Sequence, residues 1–531
     1  MNNRTVAVNW LGLPVLVRHV VLAGSALLPT TTCAQVDVAA QALQPWRIDP
    51  YVTFGVLATD NVLAARAGQE RSDVVLQLSP RLAVRRLGPR FAVDGEVGAD
   101  LERYAHSSEL NRASPYLRGA LRAELIDRLF FVDASAAALR VQSDPFAARA
   151  TETDGDNRRL ATTFRIAPHV DREVGPYALH ARASYESSHV DANDSAAVAS
   201  PAQTLRNVRG SASFERKPQP LGVVAELTSS RSDNSIESRP LLKATAGRIG
   251  LNYALTGESL VRVVAGRERS QFGELDVTDS IFGLGLRWSP GPRTDLRADV
   301  ERRYFGTGGR IEFRHRMPWL STSLNARREP VSNAFATTLP GDGTMTLQQS
   351  IDAVLTTRYP DAAERARVVQ DVLTSRGLSP ASTGAVSLAS RYAQLEQRLS
   401  LDLVLLGRRN AFTLSGYAQR VTRLTHGDDA LANLGALDAD TRQRGVSGGI
   451  NHRLTPRLAL DFRVSSFRTE GLAERSGEAT EQVDYRLAFT RSLGPRTSAS
   501  FGVIARSVDS NVPTVPSANV HIGFATLLHH F

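Results

Sequence analysis

Histidine, serine and carboxylate groups are where chemistry would show first, and in this chain they do not assemble. His106, His169 and His180 are scattered, and His529 and His530 stand beside the last residue, Phe531. There is no HExxH pair for zinc, no Walker loop for nucleoside phosphates, and no GxSxG between a strand and a helix. A hydrolase would need a serine, a histidine and an acid at one level of the fold, and no such trio emerges from the spacing. The sequence therefore predicts no catalytic residue, no cofactor and no metal. What it offers instead is charge at every second position. Arg81, Arg85, Asp94, Glu96, Arg118, Arg122, Arg165, Arg182, Glu186, Arg297, Arg314, Arg398 and Asp402 all alternate with apolar neighbours. Asp100, Glu124, His169, Asp295, Asp299, Glu301, Glu396, Asp461 and Arg463 follow the same rule. Such groups can pair into a ladder that stiffens a wall. They can also line a polar conduit whose charge sets selectivity. Guanidinium forks match carboxylate and phosphate, so an anionic solute fits the second role.

Alternation of this kind belongs to strands with one polar and one apolar face. In 76–85, Leu76, Leu78, Pro80, Leu82 and Val84 alternate with Gln77, Ser79, Arg81 and Arg85. After Gly88-Pro89 the parity switches: Phe91, Val93, Val97, Ala99 and Leu101 are apolar, and Asp94, Glu96, Asp100 and Glu102 are polar. A two-residue turn at Gly88-Pro89 would set Leu87 against Arg90, Val84 against Val93 and Arg81 against Glu96. The unit recurs around Gly175-Pro176, where the same counting sets Arg165 against Glu186 and His169 against Arg182.

Counting such units predicts about 22 antiparallel strands closed into a transmembrane β-barrel of the bacterial outer-membrane type. Short turns fall near Gly88-Pro89, Asp127-Arg128, Gly175-Pro176, Pro218-Gln219-Pro220, Thr256-Gly257, Pro290-Gly291-Pro292, Pro318, Gly407-Arg408, Thr455-Pro456 and Gly494-Pro495. Longer polar connections lie between them, at 59–73, 105–114, 143–157, 188–203, 230–240, 270–278, 422–440, 468–480 and 507–516, and one connection, 305–309, is short. Strict alternation puts the short turns in the periplasm, the long loops outside and both chain ends in the periplasm. A soluble sandwich would not alternate in this way. Trp288 and Trp319 near short turns, and Tyr104, Tyr116, Tyr185 and Tyr304 near long loops, are expected to form two interfacial girdles. Phe531 closes the chain as a barrel-assembly signal. The last strand carries Val520, Ile522 and Phe524 on one parity and Leu527 and Phe531 on the other, which predicts a bulge.

The stretch 329–390 is too long for an ordinary loop. Leu347, Ile351, Val354 and Leu355 recur at helical spacing, as do Val368, Val369, Val372 and Leu373, the latter after Pro360-Asp361 and before Gly377. A helical hairpin is expected there. It either caps the barrel from outside or folds into the lumen as a lid or constriction, and a peripheral unit on the rim is the alternative.

Residues 1–34 read as a secretory signal: Arg4 and Arg18 supply positive charge, Val20–Leu28 is apolar, and Thr32-Cys33-Ala34 offers a cleavage site. Cleavage after Ala34 is expected, with Ala40 or Ala42 as alternatives. Residues 35–49 then form a short periplasmic segment, and 50–531 the barrel. Thr30-Thr31-Thr32 is a poor lipobox, so Cys33 is not read as a lipid anchor. Its removal leaves no cysteine, hence no disulfide framework. No apolar run of roughly 18 residues follows the N-terminus, so no spanning helix is expected. A hydrophobic content of 42% suits a barrel, which is apolar on one face only. The net charge of +9 comes from arginine, since only Lys217 and Lys243 are lysine. A GC-rich genome produces the same bias. Aromatic interleaving is missing, so nucleic acid is not an expected partner. Outer-membrane lipid and lipopolysaccharide, the barrel-assembly machinery and an anionic polysaccharide are.

Several stretches resemble the outer-membrane barrel family associated with PEP-CTERM/exosortase and exopolysaccharide gene clusters. They are Trp46–Pro50, Thr59-Asp60-Asn61-Val62, LSPRLAVRRLGPRF at 78–91, RTDL at 293–296, RRYFG at 302–306, RYPDAAERARVVQDVL at 358–373 and GRRNAFTL at 407–414. The resemblance implies an envelope setting linked to polysaccharide production in a Gram-negative bacterium, and supplies no catalytic residue. The expected function is a pore or export conduit for an exopolysaccharide. A non-conducting or adhesin-like scaffold and a barrel enzyme are the rivals. A TonB-dependent receptor would need a plug of about a hundred residues before the first strand, and only Gln35–Asp49 is available.

Overall fold

The computed structural model describes residues 46–142, 144–149, 158–192, 202–235, 241–272, 275–331, 347–376, 393–424 and 440–531. The leader read at 1–34, the segment up to residue 45 and Gly377 lie outside the described residues. The first strands are β1 (Arg47–Thr59), β2 (Asp73–Leu87), β3 (Phe91–Tyr104), β4 (Arg112–Ile126) and β5 (Phe130–Gln142). Next come β6 (Arg158–Val174), β7 (Tyr177–Val190), β8 (Gln203–Arg216), β9 (Leu221–Asn234), β10 (Leu242–Thr256) and β11 (Ser259–Phe272). They continue as β12 (Leu275–Gly291), β13 (Thr294–Arg303), β14 (Gly306–Arg316) and β15 (Leu320–Val331). Two helices follow, α1 (Leu347–Leu355) and α2 (Ala362–Arg376). The chain finishes with β16 (Gln394–Leu406), β17 (Asn410–Arg423), β18 (Thr441–Thr455), β19 (Leu458–Gly471), β20 (Ala479–Ser492), β21 (Thr497–Ser510) and β22 (Ala518–His530).

Each strand pairs antiparallel with the next, and β1 pairs with β22, so the 22-stranded sheet closes on itself. Closure leaves no backbone edge to meet lipid, which is the condition for spanning a membrane with strands. Outward positions carry the exposed apolar side chains, among them Leu76 and Leu78 on β2, Ile249 and Leu251 on β10, and Phe282 and Leu284 on β12. That apolar outer band makes the molecule a transmembrane barrel.

The turn at Gly175 has two residues, with Gly175 at a φ of +57°, and β6–β7 pair in the expected register, Arg165 opposite Glu186 and His169 opposite Arg182. The turn after β2 differs. The Gly88 amide donates to the Phe91 carbonyl at 3.1 Å, which makes a longer turn. Leu87 therefore faces Ala92, and Arg81 faces Gly98 rather than Glu96. The slip is two residues, so every side chain keeps its face.

Three other expectations are corrected. Residues 270–278 are not a long loop: β11 runs to Phe272, β12 starts at Leu275, and the two residues pair. Their outward side chains turn polar because the hairpin outruns the apolar band. Tyr104 and Tyr116 share the inward parity of their strands: Tyr104 is buried, and Arg81 stacks over the Tyr116 ring at 4.1 Å. Tyr304 packs against Phe272 at 5.6 Å, so of the four tyrosines only Tyr185 faces outward. Finally, β22 pairs without a bulge. Val520, Ile522 and Phe524 point inward, packed with Leu57, Val62, Val75, Tyr104 and Ile504, while Leu527 and Phe531 are on the outward parity. The two apolar sets belong to two faces.

Candidate functional site

The lumen is the candidate site, and three segments shape it. The first is the helical insertion. In sequence it is inserted between the long-loop ends of β15 and β16, yet it is seated at the short-turn end. Leu347, Ile351 and Leu355 of α1 pack with Val369 and Leu373 of α2 and with Val404 of β16, flanked by Leu406. Asp361 starts α2 by accepting the Glu364 amide at 2.7 Å, a side-chain N-cap. Arg365 ties the helices together through Asp352 at 2.8 Å. At the end of α2 the Asn451 amide donates to the Arg376 carbonyl at 2.7 Å, and Arg376 donates to Gly407 O at 3.3 Å. Gly407 lies in the short turn after β16, and Asn451 lies near the matching end of β18. The hairpin thus lodges inside at the short-turn end, rather than capping the mouth from outside. The wall beneath it is small or apolar: Ser321, Val404, Ala411 and Ala459 are all buried.

The second segment is the β5–β6 connection, which crosses to the far wall. Phe146 is fully buried against Val512 and Val515. Thr469 of β19 donates to the Pro145 carbonyl at 2.9 Å. Arg149 then enters a box of amides and rings. Its backbone amide donates to Gln482 Oε1 at 2.7 Å, its guanidinium donates to Gln443 Oε1 at 3.0 Å, and it stacks on Phe467 at 4.6 Å. Burial pushes the Asp144 carboxyl upward, against the opposing pull of the Phe146 amide and Arg475. A third strap, the β1–β2 connection, lays Val62 over the inner cluster at the β1–β22 seam.

Beside these three segments the lumen is open. A cavity of about 420 Å³ is lined by Arg165, Arg182, Arg209, Arg248 and Arg303, by the hydroxyls of Ser184, Ser211, Thr228, Ser230 and Ser232, and by Glu329. Arg248 holds Glu301 bidentately at 2.8 and 2.9 Å, and Arg303 holds Glu268 at 2.5 Å. Arg182 reaches Asp133 at 2.9 Å. Arg209 has no carboxylate within 4 Å among the described residues. Arg165, Arg182 and Arg209 stand on three adjacent strands, so the cavity concentrates positive charge next to a run of hydroxyls.

The remaining residues of the sequence reading take inward parities in smaller groups. Arg81 bonds Asp100 at 2.5 Å and approaches Glu96 at 3.5 Å; Glu96 also accepts from Tyr51. Arg85 meets Asp94 at 3.1 Å, Arg122 meets Asp133 at 3.7 Å, and Arg118 faces Glu96 in register. Arg297 pairs with Asp295 at 3.0 Å and Arg314 with Glu312 at 3.5 Å. Glu186 accepts from Asn207 at 3.4 Å. Arg398 faces Arg327, which binds Glu396 at 2.8 Å, and Asp402 lies between Ser323 and Ser415. Only Arg165 and Arg182 of that set reach the cavity. Phe531 lies outside, its amide donating to Pro50 O at 3.0 Å and its ring edge-on to His529. Sequence reasoning missed Arg209, although Val208, Ala212 and Phe214 alternate with it. It also missed Arg149, for which a loop sequence gives no signal. Among the described residues no cluster of His, Cys, Asp or Glu could hold a metal, and no helix is long and apolar enough to cross a membrane.

Residues 44–218 match the family described as "Putative beta-barrel porin 2". That span is the first eight strands and the turn after them. No curated protein matches the chain. Among solved structures, the siderophore receptor PirA from Pseudomonas aeruginosa is 10% identical, with 91% of this chain and 80% of that chain covered and a TM-score of 0.42. The FrpB iron transporter from Neisseria meningitidis is 8% identical, with 91% and 82% covered and a TM-score of 0.43. The outer membrane protein opdK from P. aeruginosa is 10% identical, with 92% and 100% covered and a TM-score of 0.32. Likeness at this level says nothing of a cargo.

Proposed function

We propose that the protein is a non-enzymatic, porin-like conduit of the outer membrane of a Gram-negative bacterium, passing an anionic, hydroxyl-rich polymer in exopolysaccharide export. The observation that carries it is the cavity in which Arg165, Arg182 and Arg209 stand beside serine and threonine hydroxyls. Guanidinium groups take carboxylates and phosphates in forked pairs, and hydroxyls exchange hydrogen bonds with sugars at little cost in specificity. The exopolysaccharide pathway itself rests on the sequence resemblance. The α1–α2 hairpin is the closed state of the conduit on the periplasmic side, and insertion through β22 and Phe531 by the barrel-assembly machinery belongs to the same reading.

Single-channel conductance of the refolded protein in planar bilayers, with and without residues 335–385, tests this. Conductance that appears or grows on deletion, and is blocked by a polyuronate but not by a neutral dextran of equal size, supports it. Silence in both forms of a demonstrably folded barrel overturns it. That outcome favours a non-conducting scaffold, the reading that the internal hairpin and inward straps support.

A further inference from the structure

Above the apolar band, the outer surface is not uniform. On β8–β11 the outward positions nearest the long loops are Arg206, Arg231, Lys243, Arg267 and Arg269. Arg231 directly faces Lys243, Arg269 faces Thr245, and Arg267 faces Gly247, so the five form one patch. Two carboxylates answer them: Asp233 holds Arg231 at 3.0 Å, and Asp276 holds Arg269 at 2.6 Å. Among the described residues Arg206, Lys243 and Arg267 form no ion pair within 4 Å; Asp233 faces Arg206 across the ladder and Asp276 attracts Lys243 from farther off, each while bonded to its own arginine. Like charges facing each other across a ladder destabilise it, so Lys243, set against the already paired Arg231, calls for an anion from outside. Immediately below stand Val208, Leu227, Ile249 and Val263, each about half exposed or more. The patch is local. On β2 the outward face stays apolar up to Val74, and on β22 the corresponding His521 is already paired with Asp60 at 2.7 Å.

We propose that this patch holds the phosphate groups of the glycolipid that forms the outer leaflet, lipopolysaccharide. Its height decides the ligand. A group bound one step above the acyl chains and outside the barrel is a headgroup group. A soluble polymer would meet the loops first, and the cavity described above opens on the other face of the wall. Arginine forks and one lysine suit phosphate, which offers several acceptor oxygens and about two negative charges when it is a monoester. The patch is independent of conductance, so a silent barrel would leave it standing.

The test is native mass spectrometry of the full-length protein extracted from its own outer membrane in mild detergent. The variant combines Arg206→Gln, Lys243→Gln and Arg267→Gln, and folding is verified by heat-modifiable gel migration. Retention of bisphosphorylated glycolipid is expected to fall on the order of a hundredfold. Arg172→Gln with Arg216→Gln, outward residues at the other end of β6 and β8, is expected to retain it. So is the charge-keeping pair Lys243→Arg and Arg267→Lys, which controls for a general loss of stability. Equal retention by the triple variant overturns the proposal. So does equal binding of dephosphorylated glycolipid to the unaltered protein.

Discussion

Two walls of one lumen face each other and are built to opposite rules. Protein covers the wall of β15–β20 twice, and at those two places its inward side chains are serine, alanine, valine and amides, while Arg327, Glu396, Arg398 and Asp402 stand inward elsewhere on it. The α1–α2 hairpin sits at its short-turn end and Arg149 at its long-loop end. The wall of β6–β10 is furnished with arginines and hydroxyls, and a cavity covers it. A surface meant to receive a fixed segment loses charge, because desolvated charge must be paired. A surface meant to receive something mobile keeps charge, because water holds it until the solute arrives.

The largest test of this contrast removes the fixed occupant. Ile351→Asp with Leu355→Asp puts two carboxylates against Val404, costing at least ~3 kcal/mol of docking. Trypsin is then expected to cut at Arg358–Arg376 in the folded barrel, and conductance is expected to rise. Unchanged cleavage would show that the hairpin is held by something other than this apolar contact. Next, Arg165→Glu, Arg182→Glu and Arg209→Glu together are expected to invert ion preference, read as a change of sign in the reversal potential under a salt gradient. An unchanged sign would mean that the current bypasses the charged wall.

Smaller effects concern the strap on the covered wall. Arg149→Ala removes a cation–ring contact and a side-chain hydrogen bond, about 1–3 kcal/mol together. Faster hydrogen exchange confined to 144–149 and its neighbours would show it. The smallest is pH-dependent. Burial raises the Asp144 carboxyl, so the fold favours its neutral form. That contribution is full below the ordinary carboxylate value of about 4 and is lost as pH rises through the raised folded value. Asp144→Asn is expected to abolish the loss, so the variant's Tm should gain on the parent's as pH climbs. A difference that does not change with pH would rule out titration of Asp144 as its source.

Strand number, parity and the β6–β7 register were legible because alternation is a property of single strands, and the sequence states it residue by residue. The β2–β3 register was not, because Gly88-Pro89 does not say that the turn closes at Phe91. The hairpin's existence was legible from spacing, whereas its seat was a matter of tertiary contact. One trace of it is readable afterwards: Leu403-Val404-Leu405-Leu406 breaks alternation, and a strand apolar on both faces needs an apolar neighbour inside. The bare and covered walls could not be told apart from inward residues alone, since Arg398 and Arg165 alternate in the same way. What separates them is the β5–β6 crossing to Gln443 and Gln482, a contact between residues some three hundred positions apart.

The seam and the seat share no side chain of their apolar clusters: one joins β1 and β2 to β20–β22, and the other joins the two helices to β16. Assembly can therefore be ordered in time. The hairpin is expected to reach its berth sideways, while β1 and β22 are unpaired and the sheet is still open. The last pairing then locks the door behind a tenant already inside. A chain lacking the hairpin should close just as readily, and a hairpin supplied as a separate peptide should fail to enter a barrel that has already closed.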